Sequence, residues 1–309
     1  MAAADTMGQE THFAQVQEMN VWYNPALKIN KETLLHINIR SVNYPNIINY
    51  TSKAITLDLV LVQAEKHEVD NTGFANLSLG INADNSGDKT LNASSGMLAL
   101  SYALPLNYDN TYIAIGFQGA YVSNRIGLDD YRLFPNQFDK YGAIGSAILS
   151  DPYQSGNTYQ YFTAGAGLAV FHSGEKRQWY IGASIRRLNQ PASIKSYSPD
   201  FRLPVNNGIQ GGYTTAINDK DVIGGYGNFS WQSGAHEHVI GALFTRNIID
   251  SLNLSVSLGV GWRLGDAILP NIAFTIGDHR LAFCYEFNTS GGSNNYYRRA
   301  FEFSYRLNL

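Results

Sequence analysis

The sequence has little charge and no long apolar run. Charged residues make up only 15% of the 309 positions, against roughly 25% in an ordinary soluble domain. No stretch of about 18 consecutive apolar residues occurs, which excludes a bundle of membrane-spanning helices. Low charge without an apolar run is typical of a transmembrane β-barrel, whose strands alternate lipid-facing and lumen-facing residues. An array of soluble β-sandwiches is the alternative.

Cysteine is nearly absent as well. The single residue Cys284 excludes an internal disulfide framework and a thiolate metal cluster, and we expect it to be a small filler inside the barrel. The net charge of -3, without a Lys/Arg cluster, gives no support for nucleic-acid binding. Residues 1–8 have neither the positive nor the apolar region of an export signal, so we expect that a signal was removed ahead of Met1.

Aromatic residues reach 13%, and many of them stand in strict alternation with polar ones. In the last nine residues Phe301, Phe303, Tyr305, Leu307 and Leu309 alternate with polar residues. A period of two places the two sets on opposite faces of a strand. In lipid every backbone group must be paired, so this strand must belong to a closed barrel. We predict that residues 301–309 close an outer-membrane barrel.

The same alternation predicts about 14 strands, an even number as in bacterial single-chain barrels. The predicted spans are 33–43, 54–64, 73–84, 91–104, 111–123, 161–172, 178–187, 208–217, 221–231, 236–246, 252–264, 268–276, 279–287 and 298–309. Compact turns, such as 277–278, then fall on one side and the long segments 124–160 and 189–207 on the other. We therefore predict periplasmic termini, with a plug-like N-terminal segment over residues 1–30 and the barrel over residues 31–309.

Charged residues are the first candidates for a functional site, because they fall on the polar face of the predicted strands. They are Arg40, Asp58, Arg186, Arg263, Arg280, Glu286, Glu302 and Arg306. One interpretation is an ion-paired interior, which spares the lipid face about 2–4 kcal/mol per misplaced Arg or Lys. The other is a polar surface that receives a segment of a partner. The two interpretations are compatible, and a lumen closed by ion pairs would not be an open pore.

The sequence gives less support for a metal site or an enzyme active site. His236 and His238 share a strand face but lack further ligands, so we expect rim histidines rather than a zinc site. The acidic and aromatic loop 124–160 could hold calcium or a protein. A rim lipase would need Ser, His and an orienting acid, and no Gly-x-Ser-x-Gly element on a strand-to-helix turn occurs. We expect no enzyme, no metal and no cofactor.

Short motifs at both ends resemble the PorP/SprF family of the Bacteroidota type IX secretion system, some of whose members are linked to gliding motility. The matching elements are Phe13-Ala14-Gln15, Met19, Asn24-Pro25-Ala26-Leu27, residues 80–87 and 98–103, Cys284-Tyr285-Glu286-Phe287-Asn288-Thr289 and residues 300–306. Barrels of the fatty-acid-transporter type also open with Asn-Pro-Ala. Lys28 and Ile29 stand where the family commonly has glycine, and residues 129–204 do not match.

The resemblance implies a non-enzymatic outer-membrane protein that serves secretion and surface attachment. Its implied partners are the C-terminal domain of an exported adhesin or other cargo, the translocon, ring and lipoprotein components of the secretion machinery, and outer-membrane lipid. The residues carried over from the motifs are Asn24, Pro25, Ala26, Glu302 and Arg306. The alternative is a transporter for a small hydrophobic ligand, which predicts an apolar pocket in the lumen and a gap in the wall.

Overall fold

The computed structural model describes residues 13–45, 48–61, 73–87, 91–106, 110–126, 138–139, 142–143, 157–192, 202–289 and 298–309. Two short helical elements precede the first strand: a 3-10 turn over Val16–Glu18 and helix α1 over Asn20–Tyr23. Among the described residues, no helix has the length and apolar character to cross a membrane. The rest of the described chain is mostly strand.

The described residues then form sixteen strands in chain order. They are β1 Leu34–Tyr44, β2 Ile48–Val60, β3 Phe74–Ser86, β4 Leu91–Pro105, β5 Thr111–Ile126, β6 Phe138–Asp139, β7 Gly142–Ala143, β8 Asn157–Ser173, β9 Arg177–Arg186, β10 Asn206–Ala216, β11 Asp221–Gln232, β12 Ala235–Ile249, β13 Leu254–Arg263, β14 Ala267–Ile276, β15 His279–Asn288 and β16 Arg299–Asn308. Strands β6 and β7 pair only with each other, and the other fourteen form one closed antiparallel barrel.

Closure occurs between the first and the last strand. Leu34 of β1 lies opposite Asn308 of β16 on one side and opposite Asp58 of β2 on the other. Each barrel strand therefore has a hydrogen-bonded neighbour on both sides, which is what a strand in lipid requires. The predictions of a barrel of about 14 strands and of a closing strand at the C-terminus are confirmed.

The two ends of the barrel differ. We call the end where β1 begins and β16 ends the terminal end; it also carries the short turns 174–176, 217–220 and 277–278. The opposite end, which we call the loop end, carries the long connections 127–156, 187–205 and 289–298. The predicted grouping of the long loops at one end is confirmed, although the 61–73 connection is a longer one at the terminal end. Which end faces the periplasm stays a prediction.

The outer face of the wall is apolar. Ile55 is 43% exposed, Phe117 59% and Leu258 56%, and all three point away from the lumen. Inward positions of the same strands are small or polar, for example Thr56, Gly116 and Ser257. This division follows from the alternation in the sequence, because neighbouring residues of a strand point to opposite faces.

One predicted strand was placed wrongly. The span 54–64 was predicted for β2, but the strand runs from Ile48 to Val60 and pairs with β1 along its length. Outward positions of β2 are apolar from Ile55 to Leu59 but polar at Asn49, Thr51 and Lys53. Apolar alternation marks only the part of a strand that meets lipid, so the sequence did not reveal this polar extension. Strand β8 extends beyond its predicted start at residue 161 in the same way.

Candidate functional site

The segment from Phe13 to the start of β1, here called the N-terminal segment, packs inside the barrel. Phe13, Ala14, Val16 and Met19 are buried in one cluster with wall residues, which are Ala54, Val239, Ala267, Leu269 and Cys284. These wall residues come from β2, β12, β14 and β15, and their inward positions are occupied by small or aliphatic side chains. Burial of apolar groups on both sides holds the segment against the wall. The predicted role of Cys284 as an inward filler agrees with its place here.

Glu302 of β16 anchors the beginning of the segment. The backbone N–H groups of Ala14 and Gln15 both donate to its carboxylate, at 2.5 and 3.0 Å. Glu302 is fully buried, so these hydrogen bonds replace the water that an ionised carboxylate would otherwise hold. An acidic residue from the middle of the closing strand thereby fixes the start of the N-terminal segment.

Glu18 anchors the middle of the segment to the same side of the wall. Its carboxylate accepts from Arg280 Nε of β15 at 3.1 Å and from Arg306 Nη1 of β16 at 3.4 Å, and His36 Nδ1 lies at 3.9 Å. Burial raises the pKa of Glu18, but the attraction of Arg306, Arg280 and His36 outweighs it and lowers the pKa to about 2. This group, the Glu18 cluster, therefore holds an ionised carboxylate in the lumen near the terminal end.

A second ionic group lies nearer the loop end. The Glu286 carboxylate contacts Arg40 Nη2 at 2.6 Å, Arg263 Nη1 at 3.0 Å and Arg298 Nη2 at 3.3 Å. Asp266 in turn pairs with Arg263 and Arg298. Glu286 is 1% exposed, so its three cations and the added carboxylate form one desolvated network. We call it the Glu286 cluster.

The opposite side of the wall holds the Asn24-Pro25-Ala26 motif. Asn24 Nδ2 donates to Gln210 Oε1 at 3.0 Å and to the Ala183 carbonyl at 3.2 Å, and Asn24 Oδ1 accepts from the Ala26 N–H at 2.9 Å. The last of these bonds is the usual device by which an Asn side chain stabilises a turn. The motif thus turns the chain and ties it to β9 and β10, so the N-terminal segment bridges the lumen.

Wall glycines make room for this motif. A Cβ at Gly116 of β5 would lie 2.5 Å from the Pro25 carbonyl carbon and 2.7 Å from the Ala26 nitrogen. Real Cβ atoms do not approach backbone so closely. A side chain at this inward position and the N-terminal segment therefore exclude each other.

Replacing Gly116 by valine should destabilise the folded barrel by roughly 1–3 kcal/mol, because overpacking forces the segment away from the wall. Gly96→Val is the matched control, since a Cβ there meets nothing within 4 Å and valine favours strands. Denaturant midpoints of both variants in detergent measure the difference. Equal midpoints would show that the segment does not press on the wall at Gly116.

The predicted charged residues do not meet in one place. Arg40, Arg263 and Glu286 belong to the Glu286 cluster, and Arg280 and Arg306 belong to the Glu18 cluster. Of the other members, Asp58 extends the Glu18 cluster through His36, Glu302 binds the backbone of Ala14 and Gln15, and Arg186 lies beside Tyr23. Asp58 Oδ2 lies 3.7 Å from His36 Nε2, and the Arg186 guanidinium lies 5.5 Å from the centre of the Tyr23 ring. A lumen that contains ion-pair clusters therefore explains the positions of most of these charged residues.

Several members of these clusters were missed from the sequence. They are Glu18, His36, Glu237, Asp266 and Arg298. Only Glu18 carried a usable signal, because it is the single acid among residues 13–30. A lone acid in a segment bound for a barrel lumen needs a cation, and inward arginines of neighbouring strands were already candidates.

The metal candidates remain without support. His236 and His238 point outward near the loop end with ring centres 5.2 Å apart, and no group of three or more His, Cys, Asp or Glu within the described residues could hold a metal ion. The acidic candidates for calcium in the loop 124–160, such as Asp129 and Asp151, lie outside the described residues.

The sequence matches the family model described as "Type IX secretion system membrane protein PorP/SprF" over residues 6–307. The chain belongs to the PorP/SprF family. The resemblance noted from the motifs is therefore confirmed, and as a PorP/SprF protein the chain is an outer-membrane component associated with type IX secretion. No curated protein is similar enough in sequence to count as a relative.

Solved structures with the same architecture are also outer-membrane barrels. The Ralstonia pickettii toluene transporter TbuX superposes with a TM-score of 0.57 at 11% identity, covering 94% of this chain and 93% of that one. A Pseudomonas aeruginosa FadL homologue gives a TM-score of 0.52 at 11% identity, with 92% of both chains covered. At this identity the likeness shows that the PorP/SprF protein shares their fold.

Proposed function

We propose that this protein is a non-enzymatic docking component of the type IX secretion system. It holds an exported surface protein, such as an adhesin, through that protein's C-terminal domain, or links the barrel to the periplasmic ring and lipoprotein parts of the machinery. Family membership supports the secretion role, and the observation that supports docking over conduction is the occupied lumen. The N-terminal segment crosses the barrel from Glu302 to Asn24.

The filled lumen explains why docking is preferred. A barrel of 14 strands has a diameter between that of small, side-chain-filled barrels and that of the water-filled porins of 16–18 strands. Here that space holds the N-terminal segment, which is fixed at Glu18 by buried ion pairs and at Glu302 by buried hydrogen bonds. A partner would therefore bind at one of the two rims of a rigid barrel rather than enter a channel through it. The division into a plug over residues 1–30 and a barrel over residues 31–309 remains part of this proposal.

The alternative function is transport of a small hydrophobic ligand, as the name of the toluene transporter TbuX describes for that protein. Such a transporter needs an apolar path inside the barrel. The Glu286 and Glu18 clusters place paired ions in the lumen instead. Moving an apolar ligand past them would require ion pairs to separate in a desolvated site, which is strongly unfavourable. The ionic interior therefore favours the docking proposal.

Affinity purification from native membranes tests this proposal. The tagged barrel, extracted in mild detergent, should recover components of the secretion machinery together with an exported surface protein. The untagged chain provides the control for background. A strain in which the exported protein lacks its C-terminal domain separates the two roles, because machinery alone should then be recovered. Recovery of neither class from wild-type membranes would reject the proposed function.

A further inference from the structure

The wall of the barrel is uneven at the loop end. Strands β4, β5 and β8 continue pairing beyond the end of β9, with Leu91 opposite Ile126 and Ile126 opposite Asn157. Pairing between β8 and β9, in contrast, begins only at Ala166. A three-stranded ribbon formed by the loop-end parts of β4, β5 and β8 therefore projects past β9, and β8 is its outer strand.

This ribbon stands above the apolar band of the wall. Among the large hydrophobic side chains of β5 and β8 that are exposed, those nearest the loop end are Tyr121 and Phe162, which are 52% and 56% exposed. Beyond this level the outward positions are Ser123, Arg125, Gln160 and Thr158. Aromatic residues of barrels collect at the membrane interface. The ribbon beyond Tyr121 and Phe162 therefore lies in water.

On the membrane side of this ribbon, a side chain occupies the backbone hydrogen-bonding groups of β8 that face β9. After β9 the chain turns through Arg187, with a φ of 58°, and the Leu188 N–H donates to the Ala164 carbonyl at 2.8 Å. The Asn189 side chain then takes the place of a strand: its Oδ1 accepts from the Ala164 N–H at 3.0 Å and its Nδ2 donates to the Phe162 carbonyl at 2.8 Å. This contact ends the ladder on that side.

The next backbone groups on this edge belong to Gln160 and Thr158. In an antiparallel strand, alternate residues direct their N–H and C=O to the same neighbour. Ala164 and Phe162 face β9, and Ser173, an odd-numbered residue, donates towards β5 at Asn110. Gln160 and Thr158 therefore direct their backbone groups away from β5. Among the described residues, neither has a backbone partner on that side.

An unpaired strand edge such as that of β8 at Thr158 and Gln160 is rarely left exposed to water. Natural edges are blunted by proline, lysine, bulges or covering segments, because a flat open edge pairs with other strands. Residues 157–162 read Asn-Thr-Tyr-Gln-Tyr-Phe, with neither proline nor lysine, and Thr, Tyr and Phe favour strands. The ladder to β5 runs through this part without a register shift. The edge has the character of a strand-pairing site.

We propose that the Thr158–Gln160 edge of β8 binds an extended strand of the exported protein by β-strand addition, and this rests on the proposed docking function. Backbone groups of the incoming strand would continue the ladder that Asn189 ends, with Gln160 and Thr158 each exchanging a pair of hydrogen bonds. The ribbon carries a single charged residue, Arg125, so an uncharged or mildly acidic strand fits it best. Affinity comes from the backbone, which permits different sequences in the bound strand.

A double proline variant tests this geometry, because the two amides concerned do not serve the β5 ladder. Thr158→Pro with Gln160→Pro removes both outward donors while the pairing with β5 stays available, and edge strands tolerate proline. Thr158→Ala with Gln160→Ala is the matched control, since it removes the same side chains and keeps both amides. Heat-modified mobility of each variant in gels checks that the barrel is folded.

The readout is the amount of exported protein that copurifies with each variant from native membranes. We expect the proline variant to recover about tenfold less than the wild type, as the loss of two hydrogen bonds predicts, and the alanine variant to recover nearly as much as the wild type. Equal recovery with the proline variant would overturn the edge proposal while the docking function stands. If the wild type itself recovers no exported protein, the edge proposal fails, and the docking function fails with it when no component of the machinery is recovered either.

Photo-crosslinking identifies the occupant of the edge. A benzoylphenylalanine in place of Gln160 should crosslink to an extended segment in the C-terminal domain of the exported protein, and the same probe in place of Lys220, in a turn at the terminal end, should not. A crosslink to a second copy of this chain would assign the edge to self-association. A crosslink within the chain, to residues 193–201, would assign it to an intramolecular cover. Either of these two results contradicts the proposal.

Discussion

Replacing Glu286 by alanine is expected to destabilise the barrel by about 3–5 kcal/mol, the usual effect of removing one partner from a buried ion pair. Arg40, Arg263 and Arg298 all contact this carboxylate. In the variant they repel one another in a desolvated lumen, with Asp266 and Glu237 as the remaining acids near Arg263. Denaturant unfolding in detergent, followed by the fluorescence of the four tryptophans, measures the change.

Two further variants make this expectation specific to charge. Glu175→Ala removes an exposed acid from the 174–176 turn and should change stability by less than about 0.5 kcal/mol. Adding Arg40→Met to Glu286→Ala should recover part of the loss, because one uncompensated cation is then absent. A double variant that is less stable than Glu286→Ala alone would contradict the assignment of the loss to unpaired charge.

Removing residues 13–29 is expected to convert a closed barrel into a conducting one. The full chain places this segment in its lumen, whereas the shortened chain would leave inward glycines, serines and charged residues of the barrel strands without it. A barrel of this strand number has room for water once the extra chain is gone. Single-channel recording in planar bilayers should therefore detect openings in the shortened protein and none in the full chain.

A point variant tests the same idea without a deletion. Glu18→Lys places a cation beside Arg280 and Arg306, so like charges should drive the N-terminal segment from its place and produce partial conductance. Glu32→Lys changes the charge equally on the same segment, but Glu32 is exposed, and this control should stay closed. If Glu18→Lys and the shortened chain both remain closed while folded, the segment does not seal the lumen.

The alternation of residues fixes much of the fold before any tertiary contact is considered. In β16, Phe301, Phe303 and Tyr305 face outward while Glu302, Ser304 and Arg306 face inward, as a period of two requires. The same rule correctly predicted the inward face for Arg40, Arg263 and Glu286. It failed at the ends of β2 and β8, where strands leave the lipid and their outward positions become polar. In water the sequence loses the contrast on which the prediction depends.

Partners across the lumen could not be predicted in this way. Glu18 and Arg306 are separated by most of the chain, and so are Ala14 and Glu302. Their contact depends on which strands become neighbours when the barrel closes and on how the N-terminal segment turns at Asn24-Pro25-Ala26. Local patterns carry no information about either.

The sequence by itself determined the outer-membrane location and the β-barrel fold of this protein. A low-charge chain of alternating strands can pair all its backbone groups in lipid only as a closed barrel. Its short motifs also determined the family. Tertiary structure alone decided that Glu302 accepts hydrogen bonds from the backbone of Ala14 and Gln15, that the lumen contains the N-terminal segment, and that β8 pairs with β9 only from Ala166 onwards. The physical reason is that residue alternation along a strand specifies whether a side chain points into the lumen or towards lipid. Which residues that side chain contacts is decided only when the barrel closes around the N-terminal segment.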